Sequence, residues 1–221
     1  KAIGIIPVRF NSSRFPGKPL ADIYGKPMIQ WVYEQAQKSK TLEQVIVATD
    51  DLRIYETVCG FGGCVLMTSP DHTCGTSRVA EVAEGLSVEI IVNIQGDEPL
   101  IEPAMIDQVI HEMRANPDVY MATLKKRITN KDDVHNPHVV KVVTDKDGFA
   151  LYFSRAGIPY EAENRVNVPA PCWYKHIGLY GYLREFLLKI NKLPHSSLET
   201  VESLEQLRIL ENGCKIKVME T

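Results

Sequence analysis

The sequence is poor in three features, each of which would point to a particular class of protein. Its longest apolar runs reach about seven residues, whereas a helix that spans a bilayer needs about 20. Its net charge is −3, so no excess of basic residues indicates binding to nucleic acid or to a membrane surface. The five cysteines form no Cys-x-x-Cys pair, which argues against zinc and favours reduced thiols in the cytoplasm. We therefore expect a cytoplasmic protein without nucleic-acid or membrane partners.

A cluster of positive charge stands out against this mildly acidic background. The segment RFNSSRFPGKPL, residues 9–20, follows the apolar run 2–8 directly and contains the cations Arg9, Arg14 and Lys18. Turn N–H groups, serine hydroxyls and cations can together neutralise a polyphosphate. The segment lacks the glycine spacing of a dinucleotide site or a P-loop. A solvated surface turn is the alternative, but a position directly after a buried strand favours an anion-binding loop.

Short apolar runs alternate with helical patterns through the first half of the chain. We predict strands at 2–8, 44–50, 64–68 and 88–97, and helices at 27–39, 51–62, 76–86 and 103–116. Nearly continuous apolar strands that alternate with helices are typical of a parallel sheet covered on both faces. The predicted fold is therefore a three-layer α/β fold with a mostly parallel sheet, whose ligands bind at the carboxyl ends of the strands.

From about residue 119 the pattern becomes richer in strands. We predict strands within 118–128 and 173–183, a hairpin through the DKDG turn of 138–155, and helices at 184–191 and 199–212. No Ser/Gly-rich linker separates the two halves. We therefore expect one domain over residues 1–221 that carries a β-rich excursion in its second half.

Two acidic residues follow the fourth predicted strand, in the segment NIQGDEP. Asp97 and Glu98 lie at the strand's carboxyl end, where Gly96 permits a tight turn. A carboxylate that faces a basic loop is well placed for Mg²⁺, which prefers one or two carboxylates together with phosphate oxygens. A helix cap or a charged turn is the alternative. Paired with the basic loop, the segment favours a metal-bound nucleoside triphosphate.

Two further groups of residues could contact a substrate. In TCGTSR, residues 73–78, backbone groups could read a base edge and Arg78 could reach a phosphate, although a plain helix start capped by Thr76 is the simpler interpretation. In the second half, a polar set could bind an acidic, polyhydroxylated substrate, with the arginine on a carboxylate. Core positions and a solvated helix face are the alternatives for its members, which are Arg155, His176, Tyr180, Glu202, Glu205 and Gln206.

Six segments spread over nearly the whole chain resemble the 3-deoxy-manno-octulosonate (Kdo) cytidylyltransferases, and in the same order. They are RFNSSRFPGKPL, TCGTSRVAEV, VNIQGDEPLI, ALYFSRAGIPY, HIGLYGY and LEQLRILENG. The resemblance implies a nucleotide-diphospho-sugar-transferase-like fold and a Mg²⁺-dependent homodimer. It implies the reaction CTP + Kdo → CMP-Kdo + pyrophosphate, which activates Kdo for lipopolysaccharide biosynthesis. Residues 1–118 would bind the nucleotide, and residues 119–221 would bind the sugar and form the dimer.

The resemblance also implies a role for individual residues. Arg9, Ser12 and Lys18 would contact the triphosphate, and Asp97 would bind Mg²⁺, so that Arg9, Lys18 and Asp97 carry the catalysis. The cytidine would be surrounded by Pro7, Val8, Cys74, Gly75, Arg78 and Gln95. The Kdo pocket would be lined by Arg155, His176, Tyr180, Glu202, Glu205 and Gln206. The group that assists deprotonation of the sugar hydroxyl and the choice between Kdo and its 8-amino form are not indicated.

The chain departs from the family pattern in three places. Cys74 stands where the family usually has Ser, and Val8 where it usually has Ala. The family also carries a GVDTPEDL-like segment after the last helix, whose Asp supplies a second contact to Mg²⁺. This sequence ends at Thr221, so we expect either a fragment or a chain without that ligand. Two other functions stay open: a sialic acid cytidylyltransferase, and a truncated paralogue that only binds CTP or Kdo.

Overall fold

A computed structural model of the chain describes residues 1–10, 15–161 and 173–221. The described residues form two compact units. The first comprises Lys1–Pro117 and Leu179–Lys192, and the second comprises Asp118–Gly178 and Leu193–Thr221. No helix among the described residues is long and apolar enough to cross a membrane.

The first unit contains the alternating strands and helices of the first half of the sequence. In chain order its elements are β1 (Ala2–Val8), a 3₁₀ turn (Lys18–Leu20), β2 (Asp22–Ile23), β3 (Lys26–Pro27), α1 (Met28–Ala36), β4 (Gln44–Thr49), α2 (Leu52–Gly60), β5 (Val65–Met67), α3 (Gly75–Glu84), β6 (Ile90–Asn93) and α4 (Pro103–Ala115). Residues 179–183 of a later strand and one later helix complete it.

The sheet of the first unit is mostly parallel. Strand β1 is central and pairs in parallel with β4 on one side and β6 on the other, and β5 adds to β4 in parallel. Residues 180–183 run antiparallel to β6, with Tyr180 opposite Asn93. Helix α1 lies in the connection from β1 to β4, and α3 lies in the connection that returns from β5 to β6 on the other side of β1. Because such crossovers are right-handed, α1 and α3 cover opposite faces.

Burial follows from these two helical layers. In β1 all residues from Ala2 to Ile6 are buried, as expected for a strand covered on both faces. Helix α1 packs against α4, and α3 packs against the helix that follows the antiparallel strand. The described structure thus has the predicted three-layer α/β fold.

The second unit is built around antiparallel strands. In chain order its elements are β7 (Met121–Arg127), α5 (Asp132–His135), β8 (Lys141–Thr144), β9 (Ala150–Ser154), β10 (Tyr174–Leu183), α7 (Ser197–Glu202), α8 (Gln206–Glu211) and β11 (Lys217–Glu220). Strand β10 supplies residues to both units, and α6 (Arg184–Ile190), which follows it, belongs to the first. Strands β8 and β9 form the predicted hairpin, and β11 pairs in parallel with β7.

Most of the predicted helices and strands were confirmed. One predicted helix is divided into two, and several short elements were not predicted. The single helix predicted at 199–212 is two helices, because Ser203 has a left-handed backbone (φ 52°) that ends α7 before α8 begins. Strand β11, helix α5, the short hairpin β2–β3 and the 3₁₀ turn were not predicted. The prediction of one domain over residues 1–221, and of its two functional halves, stays a prediction.

Candidate active site

The two ends of the basic segment lie next to each other at the carboxyl end of β1. The N–H of Gly17 donates to the carbonyl oxygen of Phe10 at 2.9 Å. Gly17 has a left-handed backbone (φ 76°), and a Cβ there would lie 3.1 Å from the Phe10 ring, so the turn needs glycine for both conformation and space. Arg9 is exposed directly after β1. Ser12 and Arg14 lie outside the described residues.

The structure brings the basic segment into contact with the acidic one. The Nζ of Lys18 donates to Oδ2 of Asp97 at 2.7 Å, and both side chains are partly exposed. Gly96 makes this approach possible, because a Cβ there would lie 2.9 Å from Cγ2 of Val8 and 3.2 Å from the carbonyl oxygen of Pro7. A cation and a carboxylate predicted to share one anion site therefore meet at the ends of β1 and β6.

The carboxylates at this end fit a metal that takes most of its ligands from a nucleotide. Among the described residues no group of three or more His, Cys, Asp or Glu side chains could hold a metal ion alone. Asp97 is exposed and can offer one carboxylate, the number that Mg²⁺ needs when phosphate oxygens and water complete its shell. Burial raises the pKa of Glu98, and the charge of Asp97 raises it further. Asp97 is thus the better ligand of the two.

The segment predicted to surround the cytidine is supported by a buried arginine. Arg78 is 3% exposed, and its guanidinium donates to Oδ2 of Asp50 at 2.9 Å and to the hydroxyl of Thr68. Its donors are thus engaged within the protein, which favours a role in supporting the segment. Gly75, at the start of α3, lies against Pro7, where a Cβ would be 3.4 Å from the proline Cγ. The roles predicted for Pro7, Val8, Cys74, Gly75, Arg78 and Gln95 stay predictions.

Glu81, which supports the segment before Cys74, was not predicted to have a role. Glu81 of α3 accepts hydrogen bonds from the N–H of Ser69 and from Nε2 of His72. Burial alone would raise the pKa of Glu81, but these hydrogen bonds lower it below its ordinary value. Glu81 therefore fixes the chain just before Cys74 and Gly75.

In the second unit the structure places Arg155 and Glu202 side by side. Oε1 of Glu202 accepts from the Ser154 hydroxyl at 2.6 Å, and its Oε2 accepts from the Arg155 N–H at 2.9 Å. Burial alone would raise the pKa of Glu202, but these contacts lower it. The Arg155 guanidinium donates to the carbonyl oxygens of Glu202, Pro137 and Ser203 at 2.7, 2.9 and 3.3 Å. The predicted carboxylate binder is thus oriented by backbone oxygens.

The remaining predicted sugar contacts have different surroundings. Gln206 is 6% exposed, and its Nε2 has no hydrogen-bond partner among the described residues, which leaves an NH₂ group with two N–H donors available. Glu205, one position earlier, is exposed. Tyr180 belongs to the first unit, where its ring stacks on Tyr182 at 6.0 Å. The structure groups Arg155 with Glu202 and leaves the other assignments as predictions.

His176 is held as a neutral imidazole in the second unit. Its ring meets Phe153 edge-on at 5.0 Å, and its Nε2 lies 2.9 Å from the Thr123 hydroxyl, which donates to the carbonyl oxygen of Ile177. Because that hydroxyl proton is in use, Nε2 is the donor and the neutral Nε2–H tautomer is indicated. Burial lowers the pKa of His176 from 6.5 to about 3.

This lowered pKa predicts acid sensitivity. The unfolded chain takes up a proton at His176 below pH 6.5 and the folded chain does not, so stability falls as the pH drops from about 6.5 toward 3. One group gives a slope of at most about 1.4 kcal/mol per pH unit, and partial solvent exposure of His176 narrows the pH range over which this slope applies. Urea unfolding of the wild type and His176→Gln at pH 7, 6 and 5 measures it. Equal slopes for the two proteins would contradict the assignment.

Sequence reasoning missed the most deeply buried cation of the second unit. Lys141 is 0% exposed in β8, and its Nζ donates to the carbonyl oxygens of Asn136, Val139 and Arg155 at 2.8, 2.5 and 2.6 Å. It therefore fixes the backbone of Arg155. A signal was available, because a lysine inside the run VVKVV is a charge placed in a strand without alternation.

Comparison with known proteins identifies the family of this chain. The cytidylyltransferase family model matches residues 3–216. A 3-deoxy-manno-octulosonate cytidylyltransferase from Geobacter sulfurreducens is 56% identical over 98% of this chain and 90% of its own length. Another from Fusobacterium nucleatum is 54% identical over 100% of this chain and 89% of its own.

A solved structure is similar over the whole chain. It is a CMP:2-keto-3-deoxy-manno-octonic acid synthetase complexed with CTP, 44% identical, with a TM-score of 0.93 over 100% of this chain and 90% of that one. Together with the relatives above, it shows that the chain belongs to the cytidylyltransferase family, among the 3-deoxy-manno-octulosonate cytidylyltransferases.

Proposed function

We propose that this protein transfers CMP from CTP to Kdo and releases pyrophosphate. The observation that carries the proposal is the contact of Lys18 with Asp97, which joins the basic segment to a carboxylate at the end of the central strands. The names of the relatives, at 54–56% identity over nearly the whole chain, support CTP and Kdo as the substrates. They do not favour the sialic acid alternative.

The chemistry requires positioning and charge neutralisation. The anomeric hydroxyl oxygen of Kdo forms a bond to the α-phosphorus of CTP, the bond from that phosphorus to the bridging oxygen breaks, and pyrophosphate leaves with the electron pair. Negative charge grows on the leaving group, and Lys18 and Arg9 at the end of β1 are the cations suited to stabilise it. The hydroxyl proton passes to a base that the described residues do not identify.

We include Mg²⁺ in the proposal, with Asp97 as the residue of this chain that would hold it. The ion would neutralise phosphate charge. The carboxylate is paired with Lys18, so binding of the ion by Asp97 and of a phosphate by Lys18 would exchange this pair for two new contacts. Because both groups are partly exposed, such an exchange costs little free energy.

For the sugar we propose Arg155 and Gln206 as the main polar contacts. The guanidinium of Arg155 is oriented by the carbonyl oxygens of Glu202, Pro137 and Ser203. Unlike the buried Arg78 it is partly exposed, and an oriented, accessible guanidinium suits a substrate carboxylate. The Nε2 group of Gln206 can donate to a sugar hydroxyl. His176, Tyr180, Glu202 and Glu205 complete the proposed set.

We also propose a cellular compartment, an oligomeric state and a biosynthetic role for the protein. The cysteines among the described residues are free thiols, which agrees with a reducing compartment and supports the cytoplasm; they are Cys59, Cys64, Cys74 and Cys214. Family resemblance supports a homodimer and a role in lipopolysaccharide biosynthesis.

We expect pyrophosphate release that needs CTP, Mg²⁺ and Kdo together. A coupled pyrophosphate assay with Kdo, with sialic acid and without sugar measures it, and omission of Mg²⁺ tests the metal. Faster release with sialic acid than with Kdo would overturn the substrate. If CTP bound in calorimetry while no sugar supported release, the protein would be a binding-only paralogue.

A further inference from the structure

Arg53, which lies outside the basic segment, contacts Phe10 near the start of that segment. The guanidinium carbon of Arg53, in the first turn of α2, lies 3.3 Å from the centroid of the Phe10 ring. The tip of that ring lies against Gly17, and the Phe10 carbonyl oxygen accepts from the Gly17 N–H. Phe10 therefore touches Arg53 with its face and Gly17 with its edge.

Arg53 is itself held in place. Its Nε and Nη2 donate to the two carboxylate oxygens of Asp51 at 2.9 and 2.6 Å, and Oδ1 of Asp51 also accepts from the Arg53 N–H at 3.0 Å. Such a two-point pair fixes the plane of the guanidinium and not only its position. Asp51 is the residue that caps α2. The flat surface offered to Phe10 is thus anchored to a helix start.

The contact between Arg53 and Phe10 can affect the two cations that neighbour Phe10 and Gly17 in the chain. Arg9 precedes Phe10 and Lys18 follows Gly17, so a shift of the Phe10 ring moves the backbone of both cations. We propose that Arg53 is a positioning residue that orients Arg9 and Lys18 toward the triphosphate. The inference rests on the proposed function, which places those two cations on the phosphates.

Arg53 acts through Phe10 and not as a phosphate ligand. Its charge is balanced by Asp51 at hydrogen-bond distance, and two of its N–H groups point at that carboxylate. The net charge of the Arg53–Asp51 pair is therefore zero, which gives little attraction for a triphosphate. What the pair supplies is a rigid surface for the aromatic ring.

The test is a comparison of kinetic constants for Arg53→Ala, Arg53→Lys and the wild type. Because an exposed cation–π contact is worth a factor of about three to five, Arg53→Ala should raise the KM for CTP by about that factor. The inhibition constant of inorganic pyrophosphate should rise with it. The kcat at saturating CTP should fall by no more than a similar factor, because Arg9 and Lys18 also stabilise the leaving group, and the KM for Kdo and the melting temperature should stay unchanged. Arg53→Lys should recover part of the loss.

Two further variants separate positioning from other roles. If Arg53 acts through the ring, Phe10→Leu should have a similar effect, and adding Arg53→Ala to it should cost little more. Additive effects of the two substitutions would overturn the inference in favour of direct phosphate binding. Lys26→Ala is the matched control, because Lys26 also lies over an aromatic ring, Trp31, and pairs with a carboxylate, Glu34. It should leave the KM for CTP unchanged.

The outcomes distinguish this inference from the proposed function. A wild type that releases pyrophosphate with Kdo, together with an Arg53→Ala variant of unchanged KM for CTP, overturns the inference alone. A wild type without release overturns the proposed reaction, and the CTP dissociation constants from calorimetry then decide on Arg53 in the same way.

Discussion

Replacing Lys18 or Asp97 by alanine is expected to reduce kcat by about a hundred- to a thousandfold, the usual effect of removing one group that stabilises developing charge. Lys18 neutralises the leaving pyrophosphate, and Asp97 is the carboxylate proposed for Mg²⁺. Steady-state pyrophosphate release at saturating CTP and Kdo measures the loss. Because both side chains are partly exposed, the free energy of unfolding should change by less than about 1 kcal/mol.

Two comparisons make the result specific. Lys26→Ala breaks an ion pair with Glu34 of similar length, 2.8 Å, and similar exposure, so it should keep full activity. Asp97→Asn keeps the shape and removes the charge, and added Mg²⁺ should restore little of its rate. Either alanine variant retaining more than about a tenth of the wild-type kcat would contradict the proposed roles.

Lys141→Met is expected to give the largest loss of stability, about 3 kcal/mol or more. The substitution keeps an unbranched side chain of similar length but leaves three partly buried carbonyl oxygens without their donor, each worth about 1–3 kcal/mol when fully buried. Burial lowers the pKa of Lys141, and this cost of burying the charge, which methionine relieves, keeps the net loss below the simple sum. Urea unfolding followed by circular dichroism measures it.

Lys175→Met provides the control for this variant. Lys175 is directly opposite Lys141 on β10 but is partly exposed, so its replacement should cost less than about 1 kcal/mol. Equal stability of the two variants would refute the structural role of Lys141. Failure of Lys141→Met alone to fold, with Lys175→Met folded, would agree with it.

Most of the fold could be predicted because its signals are local. The apolar runs of β1, β4 and β6 and the glycine-closed helix α2 are visible in short windows of sequence. The meeting of Lys18 with Asp97 was also predictable, because a general rule places the carboxyl ends of parallel strands at one edge. Local pattern together with topology therefore suffices for the centre of the proposed nucleotide site.

Contacts that no such rule of topology governs could not be predicted. Arg78 pairs with Asp50, 28 positions away, and Arg155 contacts the carbonyl oxygens of residues 47 and 48 positions away. Nothing in the sequence near either arginine distinguishes a side chain that supports the backbone from one that awaits a ligand. The distinction depends on which acceptors the folded chain brings within reach.

The close packing of Gly96 limits how this site can change during evolution. Its backbone lies against Val8 and the Pro7 carbonyl oxygen, so that even one added methyl group meets an atom at 2.9 Å. A smaller residue at position 8 would relieve only the first of these contacts, because the second is with a backbone oxygen that a change of side chain does not remove. Descendants of this chain should therefore keep glycine at position 96, while position 8 varies between valine and smaller residues.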